Sequence, residues 1–154
     1  MYAFAYTGLV MTKPENSTAA WISLFRAQKR AMDSAERAMK RAGLPPLAWY
    51  DVLLELEKAG AAGLRPYELE RQLLLPQYGL SRLTDRLVKA GLLEKIPCPE
   101  DGRGHILAVT ADGLEMRQRM WAVYAPVIDA CISGRLKKKE MKALATYLDK
   151  IGND

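Results

Sequence analysis

Apolar residues recur along most of this chain with the period of an α-helix. The clearest stripe lies between Tyr78 and Ala90, where four apolar positions follow one another at spacings of three, four and one: Leu80, Leu83, Leu87 and Val88. The opposite face is polar and consists of Tyr78, Ser81, Arg82, Asp85, Arg86 and Lys89. The pattern predicts an amphipathic helix with one buried face, which ends at Gly91.

Two short, β-branched segments follow this helix, at residues 92–96 and 106–110. The sequence between them, PCPEDGRGH, is dense in proline and glycine. This arrangement predicts an antiparallel hairpin with a long loop. A helix followed directly by such a hairpin is typical of a winged helix, in which the helix enters a major groove of DNA and the loop reaches a minor groove.

The rest of the chain is predicted to be helical. Helices are expected over 19–42, over 47–59, from Pro66 to about Leu73, from Thr110 to about Ser133 with an irregularity at Pro126, and after Gly134. The two helices on either side of Pro76 form a predicted helix-turn-helix. The fold class is therefore mainly α with a small antiparallel β-hairpin. A helix as long as 19–42 is expected to pack partly on a second subunit, because so small a domain cannot cover its whole apolar stripe.

The segment SRLTDRLVKAGLLEKIPCPEDGRGHILAVTADG resembles the MarR family of transcriptional regulators. It contains a D-R-L within the recognition helix, a K-A-G-L-L turn into the first strand, a D-x-R at Asp101 and Arg103, and a T-x-x-G at Thr110 and Gly113. The resemblance implies a winged helix-turn-helix lobe over 47–113. It also implies that helices within 19–42 and 114–154 interlock into a homodimer, so that 19–154 form a single domain behind a flexible tail, 1–18.

Composition fits one domain of 154 residues with enough apolar residues, 49%, for a core and a subunit interface. No uninterrupted apolar run approaches the roughly 18 residues of a membrane-spanning helix. The start, MYAFAYTGLVM, lacks the basic front of a signal peptide. It is interpreted as a tail, or as an upstream start ahead of Met11, and the protein is expected in the cytoplasm without a membrane partner.

Net charge adds little to the DNA prediction. The chain carries +5, but residues 65–105 hold seven basic and six acidic side chains, an excess of only one. The prediction therefore depends on where the arginines point rather than on total charge.

The candidate DNA contacts are polar residues of the predicted recognition helix and of the loop between the strands. Arginine pairs with guanine, serine and glutamine bond base edges, and tyrosine bonds phosphate. The candidates are Gln77, Tyr78, Ser81, Arg82, Arg86 and Arg103. The resemblance implies that Arg103 enters a minor groove while Asp101 supports the loop. The alternatives are a solvated helix face and an ordinary Asp-Gly turn. Asp85 is expected to pair with Arg82, Arg86 or Lys89 on its own helix.

The resemblance also implies a small aromatic or phenolic effector, bound between the dimerisation helices and the DNA-binding lobe. Candidate lining residues are Trp21, Met32, Trp49, Tyr50, Met120 and Tyr124, with Arg26 or Arg30 as a carboxylate partner. The alternative is that these residues are ordinary core.

Two cysteines and one histidine give no zinc spacing and no nucleophile with a base, so neither an enzyme, a metal nor a cofactor is expected. Cys131 is expected in the core, and Cys98 is expected to be exposed in the wing. The principal hypothesis is a ligand-released homodimeric repressor that binds an inverted repeat in double-stranded DNA. Its alternatives are a redox-responsive regulator acting through Cys98 and a winged-helix protein-interaction module.

Overall fold

The computed structural model of the protein describes residues 15–98, 100, 102 and 104–152. Its elements in chain order are α1 (Glu15–Arg41), α2 (Leu47–Ala59), a 3-10 turn (Gly60–Ala62), α3 (Pro66–Gln72), α4 (Leu80–Lys89), β1 (Leu93–Pro97), β2 (His105–Val109), α5 (Ala111–Cys131) and α6 (Lys138–Gly152). The predicted fold class, mainly α with one small antiparallel hairpin, is confirmed.

The hairpin pairs β1 with β2 in antiparallel register, from Leu93 opposite Val109 to Pro97 opposite His105. Both strands are shifted by one residue from their predicted bounds. On the inner side Leu107 is fully buried, and its backbone also pairs with Leu64 ahead of α3. The hairpin is thus attached to the helical lobe by backbone hydrogen bonds as well as by apolar packing.

The core is centred on α2, which packs against α5, β2, α3 and α1. Side chains with almost no exposed surface come from nearly every element and include Met39, Leu53, Leu56, Leu69, Leu87, Leu107 and Met120. Burying one leucine of this kind stabilises the fold by about 1.5–3 kcal/mol. This shared core holds α4 and the hairpin in fixed positions relative to α2.

The terminal helices leave apolar side chains in solvent. Helix α1 begins at Glu15 rather than at the predicted Ala19, since a first helical turn tolerates polar residues whose N–H groups have no partner within the helix. Its second half is buried through Ala35 and Met39, whereas Trp21 and Phe25 in the first half are 60% and 54% exposed. Helix α6 has no buried residue. No helix among the described residues is both long and apolar enough to cross a membrane.

Thr110 caps α5. Its hydroxyl oxygen accepts a hydrogen bond from the Gly113 backbone N–H at 3.1 Å and donates to the Gly91 carbonyl at 2.7 Å. The cap therefore ties the start of α5 to the end of α4. Helix α5 contains Pro126 and ends at Cys131, two residues before the predicted end. Cys131 is half-buried, so its predicted place in the core is wrong.

Candidate nucleic-acid interface and the adjoining cavity

Helix α4 has the two faces that its sequence predicts. Leu87 and Thr84 are buried, and Leu80, Leu83 and Val88 pack partly against the core. The polar side chains on the other face are exposed: Ser81, Arg82, Asp85, Arg86 and Lys89. The helix therefore presents a row of polar and basic groups to solvent while its other side is held by the core.

Gln77 and Tyr78 lie in the turn before α4 and not on the helix, contrary to the prediction. Gly79 separates them from the helix, with a left-handed backbone conformation of φ +80° that glycine adopts readily. Both side chains nevertheless line one groove of about 530 Å³ together with Trp49, Arg82 and Arg86. The structure thus brings four of the candidate DNA contacts together, and Ser81 is exposed on the same helix.

Asp85 does not pair along its own helix as expected. Its Oδ1 atom accepts a hydrogen bond from Nζ of Lys95 on β1 at 2.6 Å, because the hairpin folds back beside α4. Among the described residues, no carboxylate forms an ion pair with Arg82 or Arg86. Both guanidinium groups therefore remain available to an external anion.

The loop of the hairpin is described only in part. Asp101 and Arg103 lie outside the described residues, so their predicted roles stay predictions. The base of the loop is closed by a hydrogen bond from the Cys98 backbone N–H to the Gly104 carbonyl at 3.1 Å. Cys98 is only 6% exposed, and its sulfur accepts a hydrogen bond from the Arg65 guanidinium at 3.0 Å. The prediction of an exposed thiol is wrong, because Cys98 packs beside Arg65, whose guanidinium binds its sulfur.

The connection between α3 and α4 is held by Asp51 of α2. This carboxylate is 5% exposed, and its Oδ2 atom accepts a hydrogen bond from the Leu75 backbone N–H at 2.7 Å. Burial raises the pKa of Asp51, and hydrogen bonds from the Leu75 and Leu74 backbones partly oppose that rise. Asp51 was not among the predicted site residues, although its position four residues after Leu47 and three before Leu54 places it on the apolar stripe of α2.

Asp51 also lines a cavity of about 530 Å³ between α2, α5 and the loop after α3. Three aromatic rings form one side: Tyr50 stacks against Trp121 at 6.1 Å between centroids, and Tyr124 meets both rings edge-on. Burial raises the pKa of both tyrosines, so their hydroxyls stay protonated at neutral pH. The charged side chains at the cavity are Asp51, Glu55 and Lys58.

The predicted effector-lining residues do not share one cavity in this chain. Of the six predicted residues, Tyr50 and Tyr124 line the cavity beside Asp51, and the other four do not. Met120 is fully buried in the core, and Trp49 lies in the groove beside α4. The other two predicted residues belong to α1: Trp21 is exposed, and Met32 lines a shallow depression with Phe25 and Arg26.

An ion pair fixes α5 to α2 beside the aromatic rings. The Arg117 guanidinium contacts both carboxylate oxygens of Glu57, with Nε 2.7 Å from Oε2 and Nη2 2.9 Å from Oε1. The same guanidinium opposes the rise in the Tyr50 pKa that burial causes. Within the described part of the chain, no group of three or more His, Cys, Asp and Glu side chains is arranged to hold a metal ion.

In sequence, the chain is similar to bacterial transcriptional regulators. Residues 42–104 match the family model described as "MarR family". The multiple antibiotic resistance protein MarR of Escherichia coli strain K12 is 29% identical over 91 residues, which span 59% of this chain and 63% of the relative. The HTH-type transcriptional regulator PrsX of Escherichia coli is 30% identical over 95 residues, 62% of this chain and 57% of the relative. The match therefore covers less than two thirds of either relative.

Solved structures agree with the sequence comparison at the level of the fold. A MarR family transcriptional regulator from Streptomyces coelicolor, in complex with DNA, superposes with a TM-score of 0.81 at 24% identity, covering 91% of this chain and 88% of that one. A mutant MarR from E. coli, complexed with operator DNA, gives a TM-score of 0.74 at 22% identity, covering 91% and 99%.

Proposed function

We propose that this protein is a transcriptional regulator that binds double-stranded DNA, because residues 42–104 match the model of the MarR family and the described chain has the fold of MarR family regulators. Helix α4 lies in the major groove and reads base edges, while the hairpin loop, with Arg103 supported by Asp101, reaches the minor groove. It is a DNA-binding protein and not an enzyme, and it acts in the cytoplasm.

The observation that carries this proposal is a pair of arginines on α4 that no described carboxylate neutralises. Arg82 and Arg86 are one helical turn apart, are exposed, and line one groove with Gln77 and Tyr78. Asp85, which lies between them in the sequence, forms its ion pair with Lys95. An exposed guanidinium without an acidic partner can bond guanine or phosphate without first breaking an ion pair.

The proposed assembly is a homodimer that reads an inverted repeat. Exposed apolar residues on the first half of α1 and on α6 support it, since the described part of the chain leaves these two surfaces uncovered. A two-fold axis would place the two α4 helices about one DNA turn, roughly 34 Å, apart.

The regulator is further proposed to be a repressor that a small aromatic or phenolic ligand releases from DNA. The cavity beside Asp51 supports a ligand response, because its volume of about 530 Å³ suits a small molecule and one of its walls is the loop that leads to α4. A redox response through Cys98 is the alternative within the same fold, and a protein-interaction module is the alternative outside it.

Selection of bound sequences from a random duplex library tests the proposal. Purified protein at near-physiological salt is expected to enrich an inverted repeat with half-sites about one turn apart. Arg82→Ala and Arg86→Ala are expected to lose affinity for that repeat by about 1–3 kcal/mol each, and Arg119→Ala, an exposed arginine in the middle of α5, is the matched control. If no sequence is enriched and binding fades uniformly with salt, specific recognition is wrong and the interaction module becomes the better hypothesis.

A further inference from the structure

Asp51 is a buried carboxylate that forms no salt bridge with any described lysine or arginine. Its only hydrogen-bond donors in the described part of the chain are backbone N–H groups of the loop after α3. Lys58, the nearby lysine, donates instead to Oε1 of Glu55 at 2.7 Å. Carboxylates are almost never this buried unless they are paired, because removing the charge from water is costly. A group that supplies positive charge at Asp51 would therefore be stabilised there.

The surroundings of Asp51 fit a cation with an apolar body. Two acids and one base line the cavity, so its formal charge is negative, and neither Arg26 nor Arg30 reaches it. Tyr50, Trp121 and Tyr124 present aromatic surfaces to the same space, and aromatic faces attract cations. An aromatic carboxylate would instead bring a second negative charge close to Asp51 and Glu55.

From this geometry we infer that the cavity between α2, α5 and the loop 73–75 binds an aromatic or alkylated ammonium ion in preference to an aromatic acid, with Asp51 as its charge partner. The inference deepens the proposed ligand response and rests on it. The expected contact was between a ligand carboxylate and Arg26 or Arg30 on α1. The inferred contact is between a ligand ammonium group and Asp51 on α2.

The same carboxylate connects the ligand to the DNA-binding helix. Oδ2 of Asp51 holds the Leu75 backbone N–H, and α4 begins five residues later, at Leu80. A cation bound at Asp51 competes with that N–H for the carboxylate oxygens. Ligand binding therefore loosens the turn that sets the position of Gln77 and Tyr78 before α4.

Calorimetric titration of the full-length protein without DNA tests the inference, with benzyltrimethylammonium and benzoate as a pair of probes with one ring and opposite charge. The cation is expected to bind and benzoate to bind at least roughly tenfold more weakly. Asp51→Asn is expected to weaken cation binding by roughly tenfold, since its amide oxygen still accepts from Leu75 but its charge is gone. Glu94→Gln, on the exposed face of β1, is the control and should bind like wild type.

A second variant is expected to gain affinity, which a folding defect could not cause. Lys58→Met keeps the aliphatic stem but frees Glu55, so the cation should bind more tightly to it than to wild type. Benzoate binding as tight as the cation, absence of heat with both probes at millimolar concentration, or an unaffected Asp51→Asn variant would each overturn the inference.

The DNA assay is separate from the calorimetry. Benzyltrimethylammonium is expected to lower the affinity of wild type, but not of Asp51→Asn, for the selected repeat. Cation binding that depends on Asp51 in a protein that enriches no DNA sequence would leave the site standing and reject the regulator. Sequence enrichment without cation binding would reject the site alone.

Discussion

The guanidinium of Arg65 donates a hydrogen bond to the sulfur of Cys98 at 3.0 Å, and so joins the segment before α3 to the end of β1. Leu64, the residue before Arg65, also pairs with Leu107 of β2. The base of the wing is therefore held to the helix-turn-helix by a side chain and by the backbone. A thiol in this position is part of the packing between two elements rather than a group offered to solvent.

Thiol labelling is expected to distinguish the two cysteines. In the folded protein Cys98 should react more slowly with an aromatic disulfide reagent than Cys131, because Cys98 is buried and Cys131 is only half-buried. Single variants Cys98→Ser and Cys131→Ser allow each rate to be measured alone, and the two rates should converge in denaturant. Faster labelling of Cys98 in the native state would favour the redox regulator instead.

The ion pair between Asp85 and Lys95 is expected to matter more for DNA than for folding. Both side chains are about half exposed, so Lys95→Ala should cost less than about 1 kcal/mol in urea unfolding. The same substitution frees the Asp85 carboxylate between Arg82 and Arg86, where it would repel phosphate. Affinity for the selected duplex should therefore fall several-fold, whereas Lys40→Ala, at the exposed end of α1, should change it less. If Lys95→Ala and Lys40→Ala lower the DNA affinity equally, the ion pair between Asp85 and Lys95 has no specific role in recognition.

Local signals predicted most of the fold, and non-local contacts account for what was missed. The bounds of α2, the start of α3 at Pro66 and the cap at Thr110 follow from periodicity and from residues a few positions apart. The partner of Asp85 lies on another element, so helical spacing could not identify it. The burial of Cys98 likewise depends on Arg65, which is distant in the chain.

The candidate site shows the same division. The sequence identified the exposed face of α4, because an amphipathic helix shows both of its faces in its spacing. It could not show that Gly79 interrupts the helix and leaves Gln77 and Tyr78 in a turn. The spacing also could not distinguish residues that line the pocket from residues of the core. Met120 and Tyr124 have similar spacing, but only Tyr124 reaches the cavity.

Asp51 is expected to give stability an identifiable pH dependence. Burial raises its pKa in the folded state, and Glu55 adds to the rise while Lys58 opposes it. The folded state then binds this proton more tightly than the unfolded chain, so the contribution of Asp51 to stability is greatest at low pH and is lost as pH rises through the raised pKa. Asp51→Asn should therefore gain stability relative to wild type as pH rises above the ordinary aspartate pKa of 3.8.

Urea unfolding of both proteins at several pH values measures this difference. Glu94→Gln, on the exposed face of β1, controls for the removal of one negative charge. A difference between Asp51→Asn and wild type that shrinks as pH rises would mean that hydrogen bonds from the loop outweigh burial.

Gly113 is expected to tolerate no side chain. A Cβ atom at this position would overlap the backbone carbonyl oxygen of Leu92, and backbone atoms cannot move aside as a flexible side chain can. Gly113→Ala should destabilise the protein by about 1–3 kcal/mol or more, because α5 must shift away from the hairpin. Gly102→Ala is the matched control, since its Cβ would meet no described atom within 4 Å apart from its chain neighbours. Similar urea midpoints for the two variants would show that α5 moves without cost.

The exposed aromatic pair on α1 is expected to hold the proposed dimer together. Trp21 and Phe25 lie one helical turn apart with ring centroids at 4.7 Å, and both remain more than half exposed. Buried aromatic residues are the commonest energetic centres of protein interfaces, and truncating one typically costs about 2 kcal/mol or more. Trp21→Ala with Phe25→Ala should therefore weaken self-association by roughly thirtyfold or more. Sedimentation equilibrium over a range of concentrations measures this, with Tyr67→Ala as the control because Tyr67 is equally exposed on α3. A monomeric wild type would reject the dimer, and an unchanged dissociation constant in the double variant would place the interface elsewhere on the chain.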